Sequence, residues 1–183
     1  MRLLHLSDLH LGKRVNEFSM IEDQRYILRK VLEIIDKEKP DGVMIAGDIY
    51  DKSAPNEEAV KLLGRFLSSL AGRKQQVFII SGNHDSAVKL AFASDLIDHS
   101  GIHFSPVYEG RIEPFKLEKN GNEIYIYMLP FLRPITVKSI FPDEAETIKN
   151  YSDACQAAIR HMDIDKTKCN ILIAHQVVTG ASR

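Results

Sequence analysis

Residues 42–51 read GVMIAGDIYD, and this stretch decides the fold. Its first half carries Val43, Met44, Ile45 and Ala46 without a polar break, the pattern of a strand buried on both faces. Its second half ends the strand at Gly47 and delivers Asp48 and Asp51. Upstream, Ile21, Ile27, Leu28, Val31, Leu32, Ile34 and Ile35 recur at helical spacing between Met20 and Lys37, and KPDG stops that helix. Downstream, Asn56 is placed to cap a helix that carries Val60, Leu63, Phe66, Leu67 and Leu70 on one face and ends at Gly72. Working outward again, LLHLSD (3–8) and QVFIISGNHD (76–85) are further strands, and a helix follows across residues 87–101. Strands alternating with helices at this rhythm predict parallel β-α-β units.

The pattern changes after residue 110. RIEPFKLEKNGNEIYIYMLPF (111–131) reads as two strands around Asn120-Gly121, a dipeptide that tolerates positive φ at both positions and so marks a hairpin. DEAETIKNYSDACQAAIRHM (143–162) predicts a helix, and CNILIAHQ (169–176) another buried strand. The fold class is therefore α/β, with an antiparallel hairpin joining a second sheet.

A chain of 183 residues suits one large domain. Its hydrophobic share of 44% supplies a core, and its charged share of 27% speaks against disorder. A formal net charge of −1 argues against a protein that coats nucleic acid through global positive charge, though not against a local basic groove. Cys155 and Cys169 lie far apart and form no C-x-x-C motif, which points to a reducing, cytoplasmic setting. The opening MRLLHLSD is too short an apolar run for a signal peptide, and no stretch is long enough to span a membrane.

Four of the predicted strands end alike: in SDLH (7–10), AGDIYD (46–51), SGNHD (81–85) and IAHQ (173–176). Open α/β sheets form their sites outside the carboxyl ends of the strands, so Asp8, His10, Asp48, Asn83, His84 and His175 are expected to converge. Asp8 and His10, two positions apart, share a face if the first strand continues through them. Carboxylates, imidazoles and one amide oxygen without thiolate suit Mn2+, Fe or Zn2+. A carboxylate can bridge two cations, and such a pair activates water for phosphoryl chemistry. Each residue alone has an ordinary structural alternative: Asp48 as a turn aspartate, Asn83 as a residue tolerating positive φ, Asp85 as a helix cap. Their coincidence at four strand ends favours a metal centre.

The series D-x-H, G-D-x-x-D, G-N-H-D and a strand-end histidine resembles the calcineurin-like metallophosphoesterase superfamily, whose fold is a β-sandwich flanked by helices. HLSDLHLGK, AGDIYDKSAP and ISGNHDS are most similar to the nuclease subunits of SbcCD-type complexes, which act in DNA double-strand-break repair and recombination. The superfamily's Ser/Thr phosphatases instead carry an Arg after the second motif and Glu after G-N-H, and this chain has neither. The resemblance implies Asp8 and His10 as ligands of a first metal, Asp48 as the bridging carboxylate, and Asn83 and His175 as ligands of a second. It implies His84 as the non-ligand histidine that protonates the leaving oxygen, a role an imidazole can fill near neutral pH. Asp51 and Asp85 are expected to orient the ligands.

The same resemblance implies two divalent cations, Mn2+ ahead of Mg2+, Fe or Zn2+, and exonuclease and endonuclease action on DNA ends. It also implies a homodimer and an SbcC-type ATPase partner. The family's closing G-H-x-H, its DNA-facing cap domain and its partner-binding C-terminal segment are not found in residues 1–183, so the chain reads as an incomplete, C-terminally truncated nuclease domain. Two rival readings remain: a small-molecule phosphodiesterase or pyrophosphohydrolase using the same site, and a catalytically silent dimerising fragment.

Other residues carry less. His5 has the opposite strand parity from Asp8 and His10 and is expected to be a hydrogen-bonded structural histidine. His99, His103 and His161 follow helical or short-strand stretches, are expected to have no acidic partners and read as non-catalytic. Lys13 and Arg14, just past the first motif, could grip a phosphate backbone or belong to a solvated loop. The Val60–Leu70 stripe reads as core, with part of it, or Leu90, Phe92 and Leu96, available for the dimer interface.

Overall fold

In the computed structural model, residues 1–91 and 101–177 are described. The part of the predicted 87–101 helix that holds Phe92, Leu96 and His99 lies outside them. Four parallel strands form the first sheet: β1 (Leu3–Leu6), β4 (Gly42–Ala46), β5 (Gln76–Ile80) and β6 (Ile102–Phe104), in the order β1-β4-β5-β6. Between them run α1 (Ile21–Glu38), α2 (Glu57–Gly72) and a third helix, α3 (Ala87–Ala91). A second sheet, β7 (Phe115–Lys119), β8 (Asn122–Leu129) and β9 (Cys169–Ala174), pairs β7 antiparallel and β9 parallel to β8. The helices α4 (Pro134–Ile140) and α5 (Tyr151–Arg160) lie between β8 and β9. A two-residue-a-side hairpin, β2 (Arg14–Val15) and β3 (Phe18–Ser19), leads into α1.

Strand alternation builds the layers. In β4, Val43 and Ile45 face α1 and α2, while Met44 and Ala46 face the second sheet. In β5, Val77 and Ile79 do the former, Phe78 and Ile80 the latter. From the other side, Ile124, Ile126 and Ile173 fill the inter-sheet layer, and Tyr127 and Leu129 turn outward to Ala154, Ala157 and Ala158 of α5. Both sheets are thus covered on both faces, giving helix, sheet, sheet and helix layers. No helix of the described residues is long and apolar enough to cross a membrane.

Several expectations shift in detail. On α1 only Ile21, Leu28 and Ile35 are buried, while Ile27 and Ile34 are exposed, because seven apolar positions over five turns span more than one face. Val60 is likewise exposed, whereas Leu63, Phe66, Leu67 and Leu70 are buried. Asn56 caps α2 by accepting from the Ala59 amide at 2.8 Å. The Asn120-Gly121 turn has φ of 53° and 75°, as a tight hairpin requires. The helix predicted over 143–162 is split. Asn150 accepts from the Asp153 amide while the Asp153 carboxylate takes the Asn150 amide, a reciprocal cap that starts α5 afresh at Tyr151.

Candidate metal centre

The first departure from expectation explains the convergence. β1 stops at Leu6, and Asp8 and His10 both take left-handed backbone, with φ of 56° and 42°. Their side chains meet by two local reversals, not because a strand continues. Asp48 is also left-handed, at φ 48°. Asp and His tolerate this region better than most residues, yet each instance costs about 1–3 kcal/mol and survives only where neighbours enforce it. The enforcement is a ladder that runs past the strand ends: the Asp8 amide donates to Gly47 O, His10 to Asp48 O, Leu11 to Ile49 O, and Asp51 to Leu11 O, at 2.8–3.2 Å. The loops after β1 and β4 are therefore zipped together.

Two further side chains fix these loops. The Asp85 carboxylate accepts the amides of Ile49 (3.0 Å), Tyr50 (2.9 Å) and Gly82 (2.8 Å), so it ties the G-N-H-D turn to the Asp48 loop. Its charge, after burial, also helps hold the Tyr50 phenol at a pKa of about 12. Gln24, on α1, donates to His10 O (2.7 Å) and Leu9 O (3.3 Å) and accepts from the Gly12 amide (2.9 Å). Sequence reasoning missed Gln24, since helical periodicity marks only apolar positions. Two glycines are sterically required. A Cβ on Gly47 would lie 2.6 Å from the His175 ring, and one on Gly82 would lie 2.1 Å from Asp48 Oδ1 and 2.2 Å from its amide nitrogen.

Asp48 sits at the middle, 3% exposed. Its Oδ1 accepts the His84 amide at 2.9 Å, and its Oδ2 faces three imidazole Nε2 atoms: His175 at 3.4 Å, His10 at 3.7 Å and His84 at 3.9 Å. Asp8 Oδ1 is 3.7 Å from His10 Nε2. Candidate ligand atoms group as His10, Asp48 and His84, and as Asp8, Asp48 and His175, each set within 4.8 Å and sharing Asp48. Asp8 thus has a candidate ligand atom within 4.8 Å of His175 as well as one 3.7 Å from His10. These spacings exceed hydrogen-bond length. They match ligands around a cation, since donors about 2.0–2.3 Å from one ion stand roughly 3–3.5 Å apart. His10 Nδ1 is buried without a hydrogen bond, 3.8 Å from Asp51 Oδ1. The residues present fit divalent metal.

The imidazoles are oriented from behind. His175 Nδ1 donates to Ala46 O (2.8 Å) and His84 Nδ1 to Asp51 O (2.8 Å), which leaves each Nε2 turned toward Asp48. Asp51 therefore serves His84 through its backbone carbonyl. That hydrogen bond is the largest influence raising the His84 pKa, with the charges of Asp48, Asp51 and Asp85 adding to it, against an opposing effect of burial.

Asn83 is exposed and, with Asp8 and His175, lines an open cleft of about 930 Å³. Its opposite wall comes from Phe131 and the first turns of α5, including Tyr151 and Cys155, none of which was expected at the site. His5 lies on the same cleft, exposed and without a hydrogen bond among the described residues, so it is not the structural histidine expected. Lys13 and Arg14 are exposed and outside the cleft lining. His103 packs against Phe115 and Phe78 and contacts Gln76, away from the site. His161 does have an acidic partner, Glu144 Oε1 at 2.6 Å, and stacks on Phe141.

Comparison with known proteins gives the family. Residues 1–183 match the family profile described as calcineurin-like phosphoesterase. The chain is 34% identical over 183 residues to the SbcD component of the SbcCD nuclease from Staphylococcus epidermidis, covering 98% of this chain and 47% of that relative. It is 33% identical over 186 residues to the protein of the same name from Staphylococcus saprophyticus subsp. saprophyticus, covering 100% of this chain and 48% of that relative. The chain spans about half the length of these curated relatives. A parallel sheet whose strand ends gather aspartates and histidines around one buried carboxylate, and a profile match from first residue to last, place this chain in the calcineurin-like phosphoesterase family.

Proposed function

We propose that the chain is the nuclease part of an SbcCD-type complex, a metal-dependent DNA phosphodiesterase working at DNA ends in break repair and recombination. The observation that carries this reading is the buried Asp48 carboxylate, whose Oδ2 lies 3.4 Å from His175 Nε2 and 3.7 Å from His10 Nε2, too far for hydrogen bonds and suited to shared cations. Asp8, His10 and Asp48 would hold one ion, and Asp48, Asn83 and His175 the other; the mixed oxygen and nitrogen donors suit Mn2+, Fe or Zn2+, and the family resemblance puts Mn2+ first. When bound, such a pair supplies an activated water and stabilises the attacking and leaving oxygens of phosphodiester hydrolysis.

The chain's own residues do the rest. Asp51 O accepts the His84 Nδ1–H, so the protonated imidazolium alone carries a proton on Nε2, and that proton goes to the leaving oxygen. Asp85 and the glycines hold Asp48 in place. DNA ends, an SbcC-type ATPase and a second copy of the chain are the proposed partners, in the cytoplasm. The test is calorimetric Mn2+ titration together with hydrolysis of linear duplex and single-stranded DNA, in Mn2+ and in EDTA. Two bound ions and EDTA-sensitive cleavage are expected. Cleavage of small phosphodiesters but never of DNA would refute the nuclease assignment, and no Mn2+ binding would refute the metal chemistry.

A further inference from the structure

Beside the candidate metal centre lie two aromatic side chains that belong to none of the three hydrophobic clusters formed by the described residues. Phe131 follows β8, and its amide donates to Ser81 O at 2.9 Å, which anchors it just before the G-N-H-D turn. Its ring centroid is 6.4 Å from that of His175 and 5.6 Å from that of Tyr151, tilted 39° to the latter. Tyr151, the first residue of α5, is 52% exposed, and its hydroxyl makes no hydrogen bond among the described residues. The reciprocal cap at Asn150 and Asp153 fixes the turn that presents it.

A tyrosine this open adds little to a core, and a phenylalanine held between it and a candidate ligand fills no core either. We infer that Phe131 and Tyr151 form a stacking platform for an unpaired nucleobase next to the scissile phosphodiester. The inference rests on the nuclease reading and narrows it: the site takes a nucleotide whose base has left the duplex. Two observations and one general property of aromatic rings favour stacking. The cleft is about 930 Å³, roomy enough for a nucleotide. Its described lining contains no Lys or Arg, so apart from the proposed cations no positive side chain there grips the rest of the nucleotide. And an aromatic face accepts any base, which suits an enzyme that must process ends of arbitrary sequence. A base held in a closed duplex is stacked on its neighbours and cannot reach the platform.

The experiment uses the 183-residue chain with Tyr151→Ala and Phe131→Leu, the second keeping apolar volume while removing the ring. Thermal melts establish that each variant folds. A methylenephosphonate-linked dinucleotide carrying 2-aminopurine, which the enzyme cannot hydrolyse, is titrated with and without Mn2+. Stacking quenches its fluorescence on the unaltered chain, and either substitution should relieve the quenching. In parallel, hydrolysis of short single strands is compared between a normal and an abasic nucleotide at the cleaved end. The unaltered chain should prefer the base-bearing strand by about tenfold in kcat/KM, the order that one stacked base contributes, and the ratio should fall towards one in both variants. Absence of quenching by the unaltered chain, quenching unchanged by the substitutions, or an equal slowing of both strands would overturn the platform. Cleavage of neither strand by the unaltered chain would count against the nuclease reading alone, and the fluorescence titration would still decide whether the platform binds a base.

Discussion

Asp85→Asn isolates what holds the site together without touching a candidate ligand. The carboxylate accepts three amides, two on Oδ2 (Ile49 and Gly82) and one on Oδ1 (Tyr50). Asparagine keeps one oxygen, so its best placement retains the first two bonds and sets an NH2 group against the Tyr50 amide. A buried amide left without an acceptor costs about 1–3 kcal/mol, and each retained bond loses its charge assistance, about 1 kcal/mol apiece. Allowing for partial relief by water, the native state loses about 3 kcal/mol. For a chain of this size that is a fall of about 6–12 °C in Tm. The Asp48 loop is one end of the clamp, so Mn2+ affinity should also drop, by about 10–100-fold. Scanning calorimetry with and without Mn2+, and isothermal titration of Mn2+, measure both. A Tm within about 2 °C of the parent together with unchanged Mn2+ affinity would refute the argument that Asp85 positions the site.

Other substitutions separate roles. His84→Gln should still bind metal yet lose about 10²–10⁴-fold in cleavage, whereas Asp48→Asn should lose the ions themselves; titration calorimetry beside a DNA-hydrolysis assay distinguishes them. Gly82→Ala should cost about a hundredfold or more in rate, because its Cβ would stand 2.1 Å from Asp48 Oδ1 and displace that carboxylate by about 1 Å. The Asp36–Arg73 pair, 2.7 and 2.8 Å, ties α1 to the end of α2 and holds the Asp36 pKa below its ordinary 3.8, chiefly through the hydrogen bond from Arg73. Its contribution is therefore present above about pH 4 and is lost as pH falls through the lowered value. The Tm difference between parent and Asp36→Asn should be largest near neutral pH and vanish in acid.

Much of this was legible in the sequence, for identifiable reasons. Unbroken apolar runs such as VMIA and VFII reveal strands buried on both faces, and the Gly-Asp and Gly-Asn-His turns mark their carboxyl ends. The convergence of Asp8 and His10 was foreseen for the wrong reason, since period-2 alternation cannot anticipate two left-handed residues after a strand that stops at Leu6. Strand β6 and helix α4 went unseen because three and seven residues carry too little periodicity to stand out. Gln24 and the Phe131–Tyr151 pair escaped because their significance lies in what they touch: a loop from the preceding motif, and a helix about twenty residues further along the chain.

Whether Asp48 is the carboxylate shared by two cations is tested most directly by anomalous diffraction at the manganese edge, from crystals of the chain grown with Mn2+. Two peaks about 3.5–4 Å apart are expected, one on either side of Asp48, the first near Asp8 and His10 and the second near Asn83 and His175. A single peak away from Asp48, or none in crystals that diffract well in saturating Mn2+, would contradict the shared-carboxylate site.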